Sequence, residues 1–220
     1  MPANYDLLIF DWDGTLSDSI GRIVESMKVA ASSYGCKQCA DEAIRGIIGL
    51  ALPEAISTLY PAMDDAQVAS FRQHYVDAYM ALDHEPSPLF PGVEAALQKF
   101  RSQGYQLAVA TGKARRGLDR VLKAHDWEDY FEITRAADEA LSKPDPLMLQ
   151  QILAHCQVAP GRALMIGDAS FDLLMARNAG MDAVAVGYGA MPLEALLEFE
   201  PVLAIDRFSE LADWLDRTEC

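Results

Sequence analysis

Leu7-Leu8-Ile9-Phe10-Asp11-Trp12-Asp13-Gly14-Thr15-Leu16-Ser17-Asp18-Ser19 is the stretch that decides the fold. An apolar run of strand length stops abruptly at two carboxylates and a glycine, and a Ser/Asp helix-start signal follows. This punctuation predicts that Asp11 and Asp13 stand at the carboxyl end of a buried strand, where open α/β sheets bind ligands. Two acids held there repel each other unless something positive sits between them. Their oxygen donors suit a hard divalent cation such as Mg²⁺.

The chain beyond this stretch reads as four helices with no strand among them. Ile20, Ile23, Val24, Met27, Ala31 and Tyr34 recur at helical spacing as far as Gly35. Asp41 is placed to cap a shorter helix with Ile44, Ile47 and Ile48, ended by Gly49; Pro53 opens another with Ile56, Leu59 and Tyr60, stopped by Pro61. Asp64-Asp65-Ala66-Gln67 has the form of a capping box ahead of Val68, Phe71, Tyr75, Ala78, Tyr79 and Leu82. The run from His84 to Gly92 holds three prolines and a glycine and reads as a stiff return linker.

After the linker the pattern alternates. A helix with Val93, Leu97 and Phe100 ends at Gly104 and gives way to a strand over 106–110. A helix with Leu118, Val121 and Leu122, a short strand over 131–134 and a helix from Met148 to Cys156 come next. Strands are predicted at 163–166, 183–186 and 202–205, with a helix from Phe171 to Ala179 closed by Gly180. Such alternation predicts an α/β fold, a Rossmann-like and mostly parallel sheet covered on both faces. Because the first strand and the later ones must share one sheet, residues 19–83 are expected to be an inserted four-helix cap on a core made of 1–18 and 84–220.

Composition narrows the class. With 220 residues, half of them hydrophobic, the chain can bury a sizeable core. The excess of 33 acids over 18 bases, a formal charge of −15, speaks against partners such as nucleic acid or anionic membrane, which demand clustered Lys and Arg. It also means that a phosphate site must supply its own local positive charge. No stretch approaches the length of a membrane span and the N-terminus lacks the basic start of a secretion signal, so a cytoplasmic protein is expected. Cys36 and Cys39 have a CxxC spacing, but they follow Gly35 at a helix end and have no second pair, so Cys36, Cys39, Cys156 and Cys220 are read as ordinary cysteines. His74, His84, His125 and His155 show no ligand spacing.

Four polar signals fall just after predicted strands or just before helices: Asp11-Trp12-Asp13-Gly14-Thr15, Thr111-Gly112-Lys113, Lys143-Pro144-Asp145, and Gly167-Asp168-Ala169-Ser170-Phe171-Asp172. Each alone is weak, since strand ends are normally polar. Together, in one α/β chain, they converge on one crevice. In this order, with a helical insertion after the first, they resemble the four motifs of the haloacid dehalogenase-like superfamily, and the likeness covers essentially the whole chain. Gly14 to Ser19, Phe71-Arg72-Gln73-His74-Tyr75 and Pro88-Leu89-Phe90-Pro91-Gly92 further resemble its phosphoglycolate phosphatase branch.

The resemblance implies a phosphoric monoester hydrolase acting through an aspartyl phosphate. Hydrolysis of phosphate monoesters demands accelerations of up to about 10²¹-fold, and a covalent intermediate is one route. Asp11 is then the nucleophile, and Mg²⁺ is held by the Asp11 carboxylate, the Asp13 backbone carbonyl and Asp168. Asp172, one helical turn after Asp168, faces the same way and would orient a water on the metal. Lys143 brings fixed positive charge to the nucleophile and the phosphoryl group, which Thr111 and the Gly112 amide also bind. Lys113 either adds charge there or is a solvated lysine. Asp13 would protonate the leaving alcohol and later deprotonate the attacking water, helped by a crowd of carboxylates that favours its neutral form. Dehalogenases of the superfamily lack an acid at that position.

Substrate choice falls to the cap, where Arg45 is one residue able to reach a second anionic group. Trp12 points away from both acids by strand alternation and is read as packing. A small phosphorylated metabolite is the expected partner, with 2-phosphoglycolate favoured. The alternatives are a sugar-phosphate mutase resembling β-phosphoglucomutase, a generalist phosphatase, and, from another class, a phospho-accepting signalling domain.

Overall fold

A computed structural model describes residues 5–218 of the protein. The N-terminal residues 1–4 and Cys220 therefore lie outside the described residues. Six strands, β1 (Leu7–Phe10), β2 (Gln106–Ala110), β3 (Ile133–Arg135), β4 (Ala163–Gly167), β5 (Asp182–Val186) and β6 (Leu203–Ile205), form one parallel sheet in the order β3-β2-β1-β4-β5-β6. The chain builds outward from β1 to β3, then crosses back to place β4 on the other side of β1. That reversal makes the carboxyl ends of β1 and β4 the ligand-binding crevice of the sheet.

A parallel sheet must be covered on both faces, and the two-residue repeat of the strands sorts the side chains accordingly. Leu8, Phe10, Leu107, Val109, Leu164, Ile166, Val184 and Val186 join one buried cluster with α5 (Val93–Ser102), α6 (Arg115–Ala124) and α10 (Ser209–Thr218). Leu7, Ile9, Ala108, Ala110, Ala163, Met165, Ala183 and Ala185 join the other with α7 (Leu147–Cys156) and α8 (Ser170–Asn178). Trp12, just past β1, is 1 % exposed and meets Trp127 edge-on at 6.2 Å, so its packing role is structural fact.

Between β1 and α5 stand α1 (Ile20–Tyr34), α2 (Asp41–Arg45), α3 (Leu52–Leu59) and α4 (Asp65–Leu82), which share a third apolar cluster built on Ile23, Met27, Ile44, Ile56 and Phe71. The capping box at the head of α4 is complete: Asp64 accepts from the Gln67 N–H at 2.9 Å, and Gln67 accepts from the Asp64 N–H at 3.0 Å. Other ends differ from expectation. Asp41 is the first residue of α2 rather than its cap, and turns replace the helix beyond Arg45. Two helices were not anticipated, α9 (Leu193–Leu196) between β5 and β6, and α10 after β6. Cys36, Cys39 and Cys156 are free thiols, the first two packed beside the helical cluster.

Candidate active site

Strand register decides which side chains meet. Phe10 is level with Val109 of β2 and Ile166 of β4, so Asp11 stands one step past the apolar run and Thr111 and Asp168 one step further on either side. Asp168 lies directly after β4, and the backbone turn into α8 brings Asp172 back over it. Carboxylate oxygens of Asp11, Asp168 and Asp172 lie within 4.8 Å of one another, and all three residues are buried.

One cation faces this group directly. Lys143 Nζ donates to Asp11 Oδ1 at 2.9 Å and to Asp172 Oδ1 at 2.6 Å, and the lysine is 1 % exposed. At such distances each charge pair is worth about 6 kcal/mol at an effective dielectric of about 20. The imbalance shows in the acidities. Burial, with the Asp172 and Asp13 charges added, pushes Asp11 up to about 7 even though Lys143 pulls it down. Asp168 is driven in the same direction by burial and by Asp11 and Asp172, against hydrogen bonds from the Ala190 N–H at 2.7 Å and Thr15 Oγ1 at 2.9 Å. For Lys143, burial opposes the charge, and Asp11 and Asp172 more than offset it. Three carboxyl groups against one ammonium group leave room for a further positive charge. Their oxygen-only chemistry fits a hard divalent ion.

Glycines make the close approach possible. Gly14 has φ +84° and a Cβ there would stand 2.1 Å from Asp168 Oδ2. At Gly112 a Cβ would stand 2.6 Å from the Gly49 carbonyl and 2.7 Å from that of Leu50, so this position lets the turn after α2 lie directly over the core. Ser142 Oγ accepts from the Ala51 N–H at 2.9 Å beside it.

Asp13 keeps different company. Its Oδ1 accepts from Ser19 Oγ at 2.5 Å and pairs with Lys113 Nζ at 2.9 Å. The expected crowd of carboxylates is therefore not what the side chain touches. Lys113 is no solvated lysine: its side chain is 11 % exposed and closes this pair. Thr111 is buried, and its Oγ1 accepts from the Lys113 N–H at 3.2 Å, which bends the loop so that the Gly112 backbone faces the crevice.

Above these groups a cavity of about 710 Å³ separates the sheet from the inserted helices. Asp11, Asp13, Gly112 and Lys113 line its floor, and Ile48, Leu50, Tyr75 and Tyr79 its roof. Arg72 of α4 and Arg116 and Arg120 of α6 also line it. Arg45 does not; it is exposed on α2, two residues before Ile47, where the lining begins on this segment. The arginine contribution thus comes from α4 and α6. Asp83 binds Arg120 and Arg22, whereas Arg72 and Arg116 carry no ion pair among the described residues.

Thr15 stood inside the first motif and could have been assigned from its spacing. Ala190, which donates a backbone N–H in an apolar run, carried no chemical signal in its residue type. Tyr79 was hidden by its helical period, which read as core.

Comparison with known proteins accords with this geometry. The family model described as haloacid dehalogenase-like hydrolase matches residues 8–186. A phosphoglycolate phosphatase of Vibrio vulnificus strain CMCP6 is 30 % identical over 216 residues, covering 94 % of each chain. A pyrophosphatase of Bacillus cereus is 28 % identical over 205 residues, covering 93 % of each. Among solved structures, a haloacid dehalogenase-like family hydrolase of Streptococcus pneumoniae superposes with a TM-score of 0.81 at 26 % identity, covering 96 % of this chain and 98 % of that one.

Proposed function

This chain belongs to the haloacid dehalogenase-like hydrolase family and is a phosphoric monoester hydrolase, and from that premise we propose that it is Mg²⁺-dependent, acts through Asp11 and favours small phosphates with a second anionic group, 2-phosphoglycolate first among them. The observation that carries the reading is the buried cluster of Asp11, Asp168, Asp172 and Lys143, of which Asp11 opens onto the floor of the cleft.

Asp11 attacks phosphorus and becomes the aspartyl phosphate. Lys143 holds its carboxylate in one orientation and offsets part of the anion-on-anion repulsion. Thr111 and the Gly112 N–H take the phosphoryl oxygens. The carboxylates of Asp11 and Asp168 and the Asp13 carbonyl would hold Mg²⁺, which when bound supplies the positive charge that the transferring phosphoryl group needs. Asp172 fixes Lys143, and Asp13 gives a proton to the leaving oxygen and later takes one from water. Residues 19–83 act as a cap whose roof side chains choose the leaving group.

Arg72 and Arg116, lining the cleft without an acidic partner, support a doubly charged substrate. The cleft is far larger than a two-carbon phosphate, which supports activity on larger esters as well.

Phosphate release from a panel of phosphorylated metabolites, with Mg²⁺ and with EDTA, tests the reading. Activity is expected with the metal only and, in the Asp11→Asn variant, reduced by about 10³-fold or more. Full activity in that variant would remove Asp11 as nucleophile. Equal rates in EDTA would remove the metal, and equal rates on every ester would remove the preference for a second anion.

A further inference from the structure

We propose that Tyr79, carried on α4, is a positioning residue for the acid–base step: acting through Lys113, it fixes which oxygen of Asp13 meets the leaving group. The inference rests on the acid–base role given to Asp13 above.

Both of the partners of the Asp13 side chain sit on one oxygen. Ser19 Oγ and Lys113 Nζ approach Oδ1 at 2.5 and 2.9 Å, and no hydrogen bond reaches Oδ2 among the described residues. Asp13 also lines the cavity, so Oδ2 is the atom left to the substrate. Ser19 is buried at the head of α1 and cannot wander. Lys113 is the movable partner: its backbone is tied to Thr111 Oγ1 and to the Ala137 N–H, but a four-carbon stem leaves its ammonium free to rotate.

Tyr79 removes that freedom. The Lys113 ammonium lies 5.3 Å from the centre of its ring, within the range of a cation–π contact, which gains strength when the cation is desolvated. The ring is itself held. Tyr75 lies 6.0 Å away at 35°, and the Arg22 guanidinium stands 5.9 Å from its centre. Arg22 in turn binds Asp83 and the Glu85 carbonyl, where the chain returns to the sheet. A side chain of the inserted helices therefore holds a core lysine on the acid.

The consequence is specific to one bond. As Asp11 attacks, the electron pair of the breaking P–O bond stays on the ester oxygen. That oxygen takes a proton that Asp13 Oδ2 has first taken up from water, and Asp13 returns to the carboxylate that Lys113 pairs with. An ester with a poor leaving group depends on this transfer, and one whose alcohol is already acidic does not.

The test is single-turnover release of the alcohol or phenol across esters from p-nitrophenyl phosphate to alkyl phosphates. Tyr79→Leu is expected to slow the alkyl esters by about 10-fold or more relative to the aryl ester, steepening the dependence on leaving-group acidity. Tyr79→Phe keeps the ring but removes the hydroxyl that also interacts with the Lys113 ammonium, so it should fall between the wild type and Tyr79→Leu, and Lys113→Met should steepen the dependence from the core side. Asp13→Asn should give the steepest dependence of all. A common slowing of every ester, or a change in KM alone, in both Tyr79→Leu and Lys113→Met would overturn the inference while a steep Asp13→Asn leaves the acid–base role intact. A wild-type slope in Asp13→Asn would instead remove that role.

Discussion

Asp11 and Asp168 are carboxyl groups that the fold holds under protest. Burial and their neighbours push both above the ordinary value of 3.8, Asp11 to about 7. The sign of the consequence follows from proton linkage. A carboxyl whose acidity is weakened by folding binds more protons in the native state than in the unfolded chain, so the metal-free protein loses stability as pH rises from about 4 through about 7. A divalent ion on the same oxygens favours the ionised form and competes with those protons. Mg²⁺ at a hundred times its dissociation constant adds about 2.7 kcal/mol. Thermal melts in EDTA and in Mg²⁺ should therefore show a larger metal-induced rise in Tm at pH 7.5 than at pH 5.5. Equal shifts at the two pH values would mean that the ion does not occupy this cluster. The residues of this cluster were legible in the sequence because four polar segments, each weak alone, follow one another in the order of a known set of motifs. Their partners were not: the Ala190 N–H is a backbone group with no residue signature, and Ser19 reads equally well as a helix start.

At the scale of elements, α4 matters most for what it carries into the cleft, Arg72, Tyr75 and Tyr79, next to Val68, Phe71 and Ala78, which it buries. Its first turn is secured by the reciprocal bonds between Asp64 and Gln67. Asp64→Ala removes an exposed cap far from the chemistry and should lower stability by about 1 kcal/mol in urea titrations while kcat stays within twofold of the wild type. A large loss of kcat would show that α4 fraying reaches Tyr79. The capping box was readable because it is local, four residues with fixed roles. The boundaries of α2 and α3 were less so, since Asp41 and Pro53 suit more than one position in the first turn. The last helix carries no glycine or proline punctuation, and its one signal is the helical spacing of Phe208, Leu211, Ala212 and Leu215, the side chains that cover the sheet.

The whole molecule is an acidic protein whose ligand, on the reading above, is also acidic. A formal charge of −15 disfavours the approach of a dianion, so capture depends on the few cations that the fold turns inward. Lys143 and Lys113 are already engaged by Asp11, Asp172 and Asp13, and Arg120 by Asp83. That leaves Arg72 on the inserted helices and Arg116 on the core, with Glu54 and Asp138 as the acids of the same lining outside those pairs. The two arginines belong to opposite sides of the cleft, so a substrate anion reaching both would also draw the two layers together. Which arginines these are could not be read from residue spacing, because Arg45, Arg72 and Arg116 all lie on helices and only the packing of α4 and α6 around the cavity separates them. Replacing Arg72 and Arg116 together by Gln should raise KM for phosphoglycolate by about 10-fold or more, the scale of a lost charged hydrogen bond, with a smaller effect on kcat. p-Nitrophenyl phosphate has no second anion and should lose much less. Steady-state kinetics on the two esters decides the matter: a common rise in KM would assign the arginines to general attraction of phosphate, and no rise in either would place the second anion elsewhere in the cleft.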